Sequence, residues 1–265
     1  MKSNCPTPFF IWFTGRAGST LLCDLLASHP QIYCRMEDFG EFAVGPDAKE
    51  DDETTLVQFN GVRYERKISC PDVLIENPSP TQAVEYLQQI FSHGEPACGF
   101  KLKFPTQAIV YPEVVEQLKK TPDVKVIELI RENVLKQAIS LRNVERIRKL
   151  AVQKSCNLTS QIELQPLHID TDLVIKHARF FLKSRDNFYA LSSHFANVLP
   201  VTYEQISSNV RGTIGRITEF LGVDSDVELE TKFVKTTPDR ISDAIANYEE
   251  LSAAVAGTPL EEFLD

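Results

Sequence analysis

The chain has 265 residues, 43% of them hydrophobic and 25% charged, with a formal net charge of −9. That length supports one substantial core and a single domain over residues 1–265. The acidic balance excludes nucleic acid or an anionic membrane as main partner, and no apolar run approaches the roughly 20 residues of a membrane span.

Met1-Lys2-Ser3-Asn4 leads directly into an apolar run, which leaves no room for a signal peptide and sets the expectation of a cytoplasmic protein. Phe9–Phe13 reads as a buried strand. It enters the turn Thr14-Gly15-Arg16-Ala17-Gly18-Ser19-Thr20, and a helix follows with Leu21, Leu22, Leu25 and Leu26 at helical spacing. Backbone N–H groups of a first helical turn lack intrahelical partners, and the helix dipole favours an anion there. Arg16 adds a cation and Ser19 and Thr20 add hydroxyls, so the turn suits a phosphate or sulfate. It lacks the Lys and the glycine frame of a nucleotide triphosphate loop.

His29-Pro30 breaks that helix, and an extended segment leads to Glu37-Asp38-Phe39. Residues 42–79 mix an acidic run, Lys49–Glu53, with two short strand patterns around Asn60-Gly61, a hairpin signal. Thr81–Phe91 has a helical face of Val84, Leu87, Ile90 and Phe91. Ala97–Leu102 is a strand that ends in the string Gly99-Phe100-Lys101-Leu102-Lys103, and Pro112 opens a helix through Lys119. The strand Val124–Ile130 ends in Arg131, and a long helix over Glu132–Leu150 carries Ser140. Residues 153–170 are polar with weak periodicity. Thr171–Phe195 is helical, Val198–Tyr203 is a strand, and Ser208–Leu221 is a helix ended by Gly222.

Strands alternating with helices predict an α/β fold: a mostly parallel central sheet, helices on both faces, and a P-loop-like strand–loop–helix at its start. Ligands of open α/β sheets bind at the strands' carboxyl ends. Residues 42–79 and 153–170 are therefore expected to be lids or acceptor-site insertions. Six scattered cysteines form no C-x-x-C pair, and five histidines show no ligand spacing, so no metal site is expected. No feature indicates an oligomer.

The loop and its flanks resemble sulfotransferases that use 3′-phosphoadenosine 5′-phosphosulfate (PAPS), in the bacterial branch of trehalose and nodulation-factor enzymes with an R-S-G-S-T-L-L loop. Here Ala17 replaces its first Ser. The resemblance implies that Arg16, Ala17, Gly18, Ser19, Thr20 and Leu21 hold the 5′-phosphosulfate. It implies that Arg131 and Ser140 grip the 3′-phosphate, at a spacing of nine where eight is common in the family. It makes Glu37, in an E-x-F setting, the general base, with Asp38 as rival and a structural pairing of Glu37 with Arg35 or Arg16 as alternative. Lys103, after the G-F-K segment, would join Arg16 in stabilising the sulfuryl or leaving oxygen; an exposed strand-end lysine is the other reading. Tyr203, in the place of a Y-E-D string, would contact the adenine or serve as core. The strings Lys235–Arg240 and Asn247-Tyr248-Glu249-Glu250-Leu251 resemble the family's closing segments, with Lys235 or Arg240 near the 3′-phosphate.

The implied activity is transfer of a sulfuryl group to a hydroxyl of a small-molecule, carbohydrate or lipid-linked acceptor, without a metal. A P-loop kinase needs a loop Lys and a Mg²⁺-holding acid, neither of which is clear here. A non-catalytic nucleotide-binding module is the third reading.

Overall fold

A computed structural model of the chain describes residues 6–44, 57–59, 62–154, 165–232 and 238–264. The acidic run, the Asn60-Gly61 turn, Cys5, Cys156 and Lys235 lie outside the described residues, as does most of 153–164. In chain order the elements begin with β1 (Thr7–Thr14), α1 (Ser19–Ala27), β2 (Ile32–Arg35), β3 (Phe39–Val44), β4 (Val57–Phe59), β5 (Val62–Cys70) and β6 (Val73–Glu76). Next come α2 (Pro80–Phe91), β7 (Ala97–Phe104), α3 (Thr106–Val110), α4 (Pro112–Lys120), β8 (Lys125–Ile130), α5 (Val134–Lys154) and α6 (Thr171–Ser192). The chain closes with β9 (Asn197–Thr202), α7 (Tyr203–Ser208), α8 (Val210–Leu221), α9 (Ile241–Ala244) and α10 (Tyr248–Val255).

The chain divides into two compact units, Met1–Ile130 with Phe188–Thr231, and Arg131–Asn187 with Lys232–Asp265. The first holds a five-stranded parallel sheet in the order β2-β7-β1-β8-β9. The apolar run in β1 is explained by burial on both faces. Phe9, Ile11 and Phe13 pack with Leu22, Leu25 and Leu26 of α1 and Ile217 and Leu221 of α8. Phe10 and Trp12 pack on the other face with Leu87 and Ile90 of α2 and Val114 and Leu118 of α4. This is the predicted α/β sheet with helices on both faces.

Several local readings are corrected. The extended segment expected after His29-Pro30 is β2, a fifth parallel strand; it is short and buries alternate residues at the sheet's edge. The expected hairpin is present, β4 and β5 pairing antiparallel, and β3 and β6 also pair with β5, so the segment is a second small sheet. Its Phe39 and Ile68 belong to the core that contains α2 and α4. The buried face of α2 is Ala83, Tyr86, Leu87 and Ile90, shifted from the expected one. The helix expected from Ser208 is interrupted at Asn209, whose side chain accepts from Gly212 N and caps α8. Tyr203 opens α7 instead of closing β9, because Thr202 and Gln205 form a capping box. Gly222 does end α8, at φ 82°.

The second unit has its own core. Val134, Leu135, Ala138 and Ile139 of α5 pack with Val174, Ala178 and Phe181 of α6 and Leu251 and Val255 of α10. The N-Y-E-E-L string has a structural use here. Asn247 pairs through its amide with both backbone groups of Ile169, and Glu250 accepts from Thr171 Oγ1 at 2.5 Å.

Candidate active site

The loop after β1 is built by two left-handed residues. Gly18 caps α1 at φ 85° with no side-chain cap, and Arg16 has φ 67°. Such a backbone at a non-glycine costs about 1–3 kcal/mol and concentrates at functional sites. A Cβ on Gly18 would lie 2.5 Å from Tyr203 Cδ2, so the Tyr203 ring rests directly against the loop. Ala17 is fully buried and packs in the core beside α1. Ser19 is buried and Thr20 half-buried, with Leu21 packed against the same core.

β7 brings one cation to this loop and a second to its neighbouring carboxylates. Lys101 and Lys103 share one face of the strand by its period of two. Lys101 is buried, at 3% exposure, and its Nζ donates to Thr20 Oγ1 at 2.9 Å. The same Nζ lies 3.0 Å from Glu37 Oε1 and 5.5 Å from the Phe13 ring centroid. Lys103 Nζ is 4.0 Å from Glu37 Oε2 and forms an ion pair with Glu41. Glu41 also accepts from Thr106 Oγ1 at 3.0 Å and from Gln107 Nε2 at 2.9 Å. Thr20, Lys101, Glu37, Lys103 and Glu41 thus form a line of donors and acceptors of alternating charge.

The two candidate bases occupy different environments. Glu37 lies between β2 and β3 with its side chain 37% exposed. Asp38 is buried, and its Oδ2 accepts from Arg35 Nε at 2.7 Å and Tyr86 OH at 2.8 Å. Burial, then Cys70 and the Asp38 carboxylate, push the Tyr86 hydroxyl well above its ordinary value, so it remains a donor. Glu37 faces Lys101 and Lys103, while Arg35 is taken by Asp38.

Sequence reasoning missed Lys101 and Glu41. The available signal for Lys101 was one lysine inside an otherwise apolar strand, where an unpaired charge is costly. Glu41 had no local signal, because its partners are 62 or more positions away in the chain (Lys103, Thr106, Gln107).

In the second unit, Arg131 and Ser140 are both buried, Arg131 just before α5 and Ser140 within it. Asn133 Oδ1 accepts from Lys136 N at 2.8 Å and starts the helix. Arg185 Nη2 donates to the carbonyls of Arg131 and Glu132 at 2.5 and 2.6 Å, which fixes the backbone there. Arg240 is exposed just before α9.

A sequence model described as the Sulfotransferase family matches residues 8–227. The chain belongs to the sulfotransferase family. It is an enzyme that passes a sulfuryl group to a hydroxyl acceptor, and the kinase and non-catalytic readings are set aside. Among solved structures, a sulfotransferase from Alicyclobacillus acidocaldarius is 21% identical with TM-score 0.46, the alignment covering 95% of this chain and 91% of that one. The sulfotransferase domain from the curacin biosynthetic pathway is 18% identical with TM-score 0.46, covering 99% and 90%. Mouse sulfotransferase SULT7A1 complexed with PAP is 16% identical with TM-score 0.40, covering 82% and 59%. No curated protein sequence matches the chain. Among the described residues of this sulfotransferase, no helix is long and apolar enough to cross a membrane, and no cluster of His, Cys, Asp or Glu is placed to hold a metal ion.

Proposed function

We propose that this sulfotransferase uses PAPS as donor and transfers its sulfuryl group to a hydroxyl of a small-molecule, carbohydrate or lipid-linked acceptor. The observation that carries the reading is Lys101, buried and bonded at once to Thr20 of the anion loop and to Glu37. It joins an anion-binding element to an accessible carboxylate inside one unit. The donor set fits a phosphosulfate: first-turn N–H groups of α1, two hydroxyls and the Arg16 cation, on a loop whose left-handed Gly18 is backed by the Tyr203 ring.

When bound, PAPS supplies the sulfuryl group and a phosphate oxygen as leaving group. Arg16, Ala17, Gly18, Ser19, Thr20 and Leu21 bind the phosphosulfate and meet the charge that develops on that oxygen. Glu37 receives the acceptor's proton at Oε2, the oxygen farther from its lysine partners. Lys101 holds Glu37 in line with the loop, and Lys103 stabilises the sulfuryl group. Tyr203, seated against Gly18, offers its ring to the adenine. Arg131 and Ser140, with Lys235 or Arg240, are assigned to the 3′-phosphate on the family resemblance.

The test is an acceptor screen with radiolabelled PAPS, run beside ATP as donor. Sulfated product from PAPS supports the reading. Saturable binding of 3′-phosphoadenosine 5′-phosphate (PAP) with no sulfated product in any acceptor class would count against the acceptor assignment, and no PAP binding would end the donor assignment.

A further inference from the structure

Glu41 is a carboxylate with 7% exposure in a position the reaction does not require. Period-two alternation in β3 puts it on the same inward side as the fully buried Phe39. Its carboxylate has a complete set of donors: Lys103 Nζ and Thr106 Oγ1 on Oε1, and Gln107 Nε2 on Oε2. Gln107 is itself fully buried, and its Oε1 accepts from Lys103 N at 2.7 Å. Glu41, Gln107 and Lys103 therefore close a ring that grips Lys103 by both its backbone and its ammonium. The same ammonium also faces Glu37, whose Oε2 is 4.0 Å away, beyond direct hydrogen-bond distance.

We infer that Glu41 is a positioning residue: it holds the Lys103 ammonium off Glu37, so that the lysine faces the reacting group without neutralising the base. The inference rests on the reading of Glu37 as base. A lysine side chain is long and flexible, and a free ammonium this close to an accessible carboxylate collapses onto it. With Glu41 in place the better-desolvated carboxylate wins the lysine. Glu37 keeps Lys101 on one oxygen and leaves the other for the acceptor.

Glu41→Gln preserves volume and removes the charge. In the crystal structure of that variant, the Lys103 Nζ to Glu37 Oε2 separation should shorten from 4.0 Å to a charge-assisted hydrogen bond of about 2.7–2.9 Å. Turnover should fall by roughly tenfold to a hundredfold, as expected for a misplaced catalytic group, with PAP affinity little changed. In a Lys103→Met background, Glu41→Gln should cause no further loss of kcat. A lysine that stays where it is, or an equal loss of kcat without Lys103, overturns the proposal. Should Glu41→Gln fail to fold, Glu41→Asp keeps the charge and withdraws it by one methylene. The same approach of Lys103 to Glu37 is then expected with a smaller loss, and an unmoved lysine overturns the proposal. Full turnover of Glu37→Gln would instead remove Glu37 as base, while the Lys103 displacement tests the positioning separately.

Discussion

Lys101 and Glu37 form an ion pair of unequal burial: the Nζ is enclosed and the carboxylate open, 3.0 Å apart. A buried ammonium needs a partner to repay its desolvation, and an open carboxylate can still meet a substrate. The pair thereby fixes Glu37 beside Thr20 without sealing it away from an acceptor.

Glu37→Gln keeps the shape and removes the proton acceptor. General-base contributions are typically ~10²–10⁴-fold, and kcat should fall by that order while PAP affinity changes far less. Asp38→Asn should behave differently. It breaks the charge on a carboxylate held by Arg35 and Tyr86, and hydrogen bonds to charged groups contribute about 1.5–3 kcal/mol. Thermal denaturation should show a lowered Tm, with kcat of the folded fraction retained. Loss of kcat only in Asp38→Asn would move the base to Asp38.

PAP should bind much more tightly than AMP or ADP. Loss of one charge-assisted contact costs roughly 1.5–3 kcal/mol, so Arg131→Ala should weaken PAP binding about tenfold or more and leave AMP binding nearly unchanged. Calorimetry that found equal affinity for PAP and AMP would remove the 3′-phosphate role.

Gly18→Ala places a methyl 2.5 Å from Tyr203 Cδ2 at a residue with φ 85°. The left-handed backbone alone costs an L-residue roughly 1–2 kcal/mol, and the ring must also shift. Those costs fall on the folded chain, so Tm should drop, and PAP affinity should fall to the extent that the loop moves off its binding shape. Tyr203→Ala in that background should recover the part due to the clash but not the part due to φ. Unchanged PAP affinity in Gly18→Ala would detach the loop's shape from binding.

Glu128 is buried in β8 and accepts a hydrogen bond from Ser192. Burial raises its carboxyl above the ordinary value of 4.5, with a smaller lowering by the Ser192 hydroxyl. A carboxyl raised in the folded state is penalised only when ionised. The penalty is absent below 4.5, grows as pH rises through the folded value, and is constant above it. Glu128→Gln should therefore raise Tm at neutral pH, by about 2–4 °C per kcal/mol recovered in a chain of this size. The gain over wild type should shrink as pH falls toward 4.5. A gain independent of pH would show that ionisation is not its source.

Turnover should survive EDTA. Lys101, Lys103 and Arg16 are the cations assigned to the site, and a sulfuryl group carries less charge than a terminal phosphate. An absolute Mg²⁺ requirement in the product assay would overturn that assignment.

The strand, loop and helix at residues 7–27 were legible in the sequence, because apolar runs, glycine and helical spacing are local consequences of burial and backbone sterics. The same holds for β7, β8, the capping proline of α4 and the glycine that ends α8. The family resemblance lies in those local strings too. The environments of Glu37 and Asp38 were not legible: two adjacent carboxylates have the same local chemistry until Arg35 and Tyr86 take one and Lys101 takes the other. Whether Lys101 is a surface lysine or a buried bridge depends on its strand pairing beside β1, and Glu41 acquires its partners only when β3 reaches the start of α3. Sequence periodicity reports which face of an element is apolar. Which charges meet depends on long-range register, and the tertiary structure alone decides it.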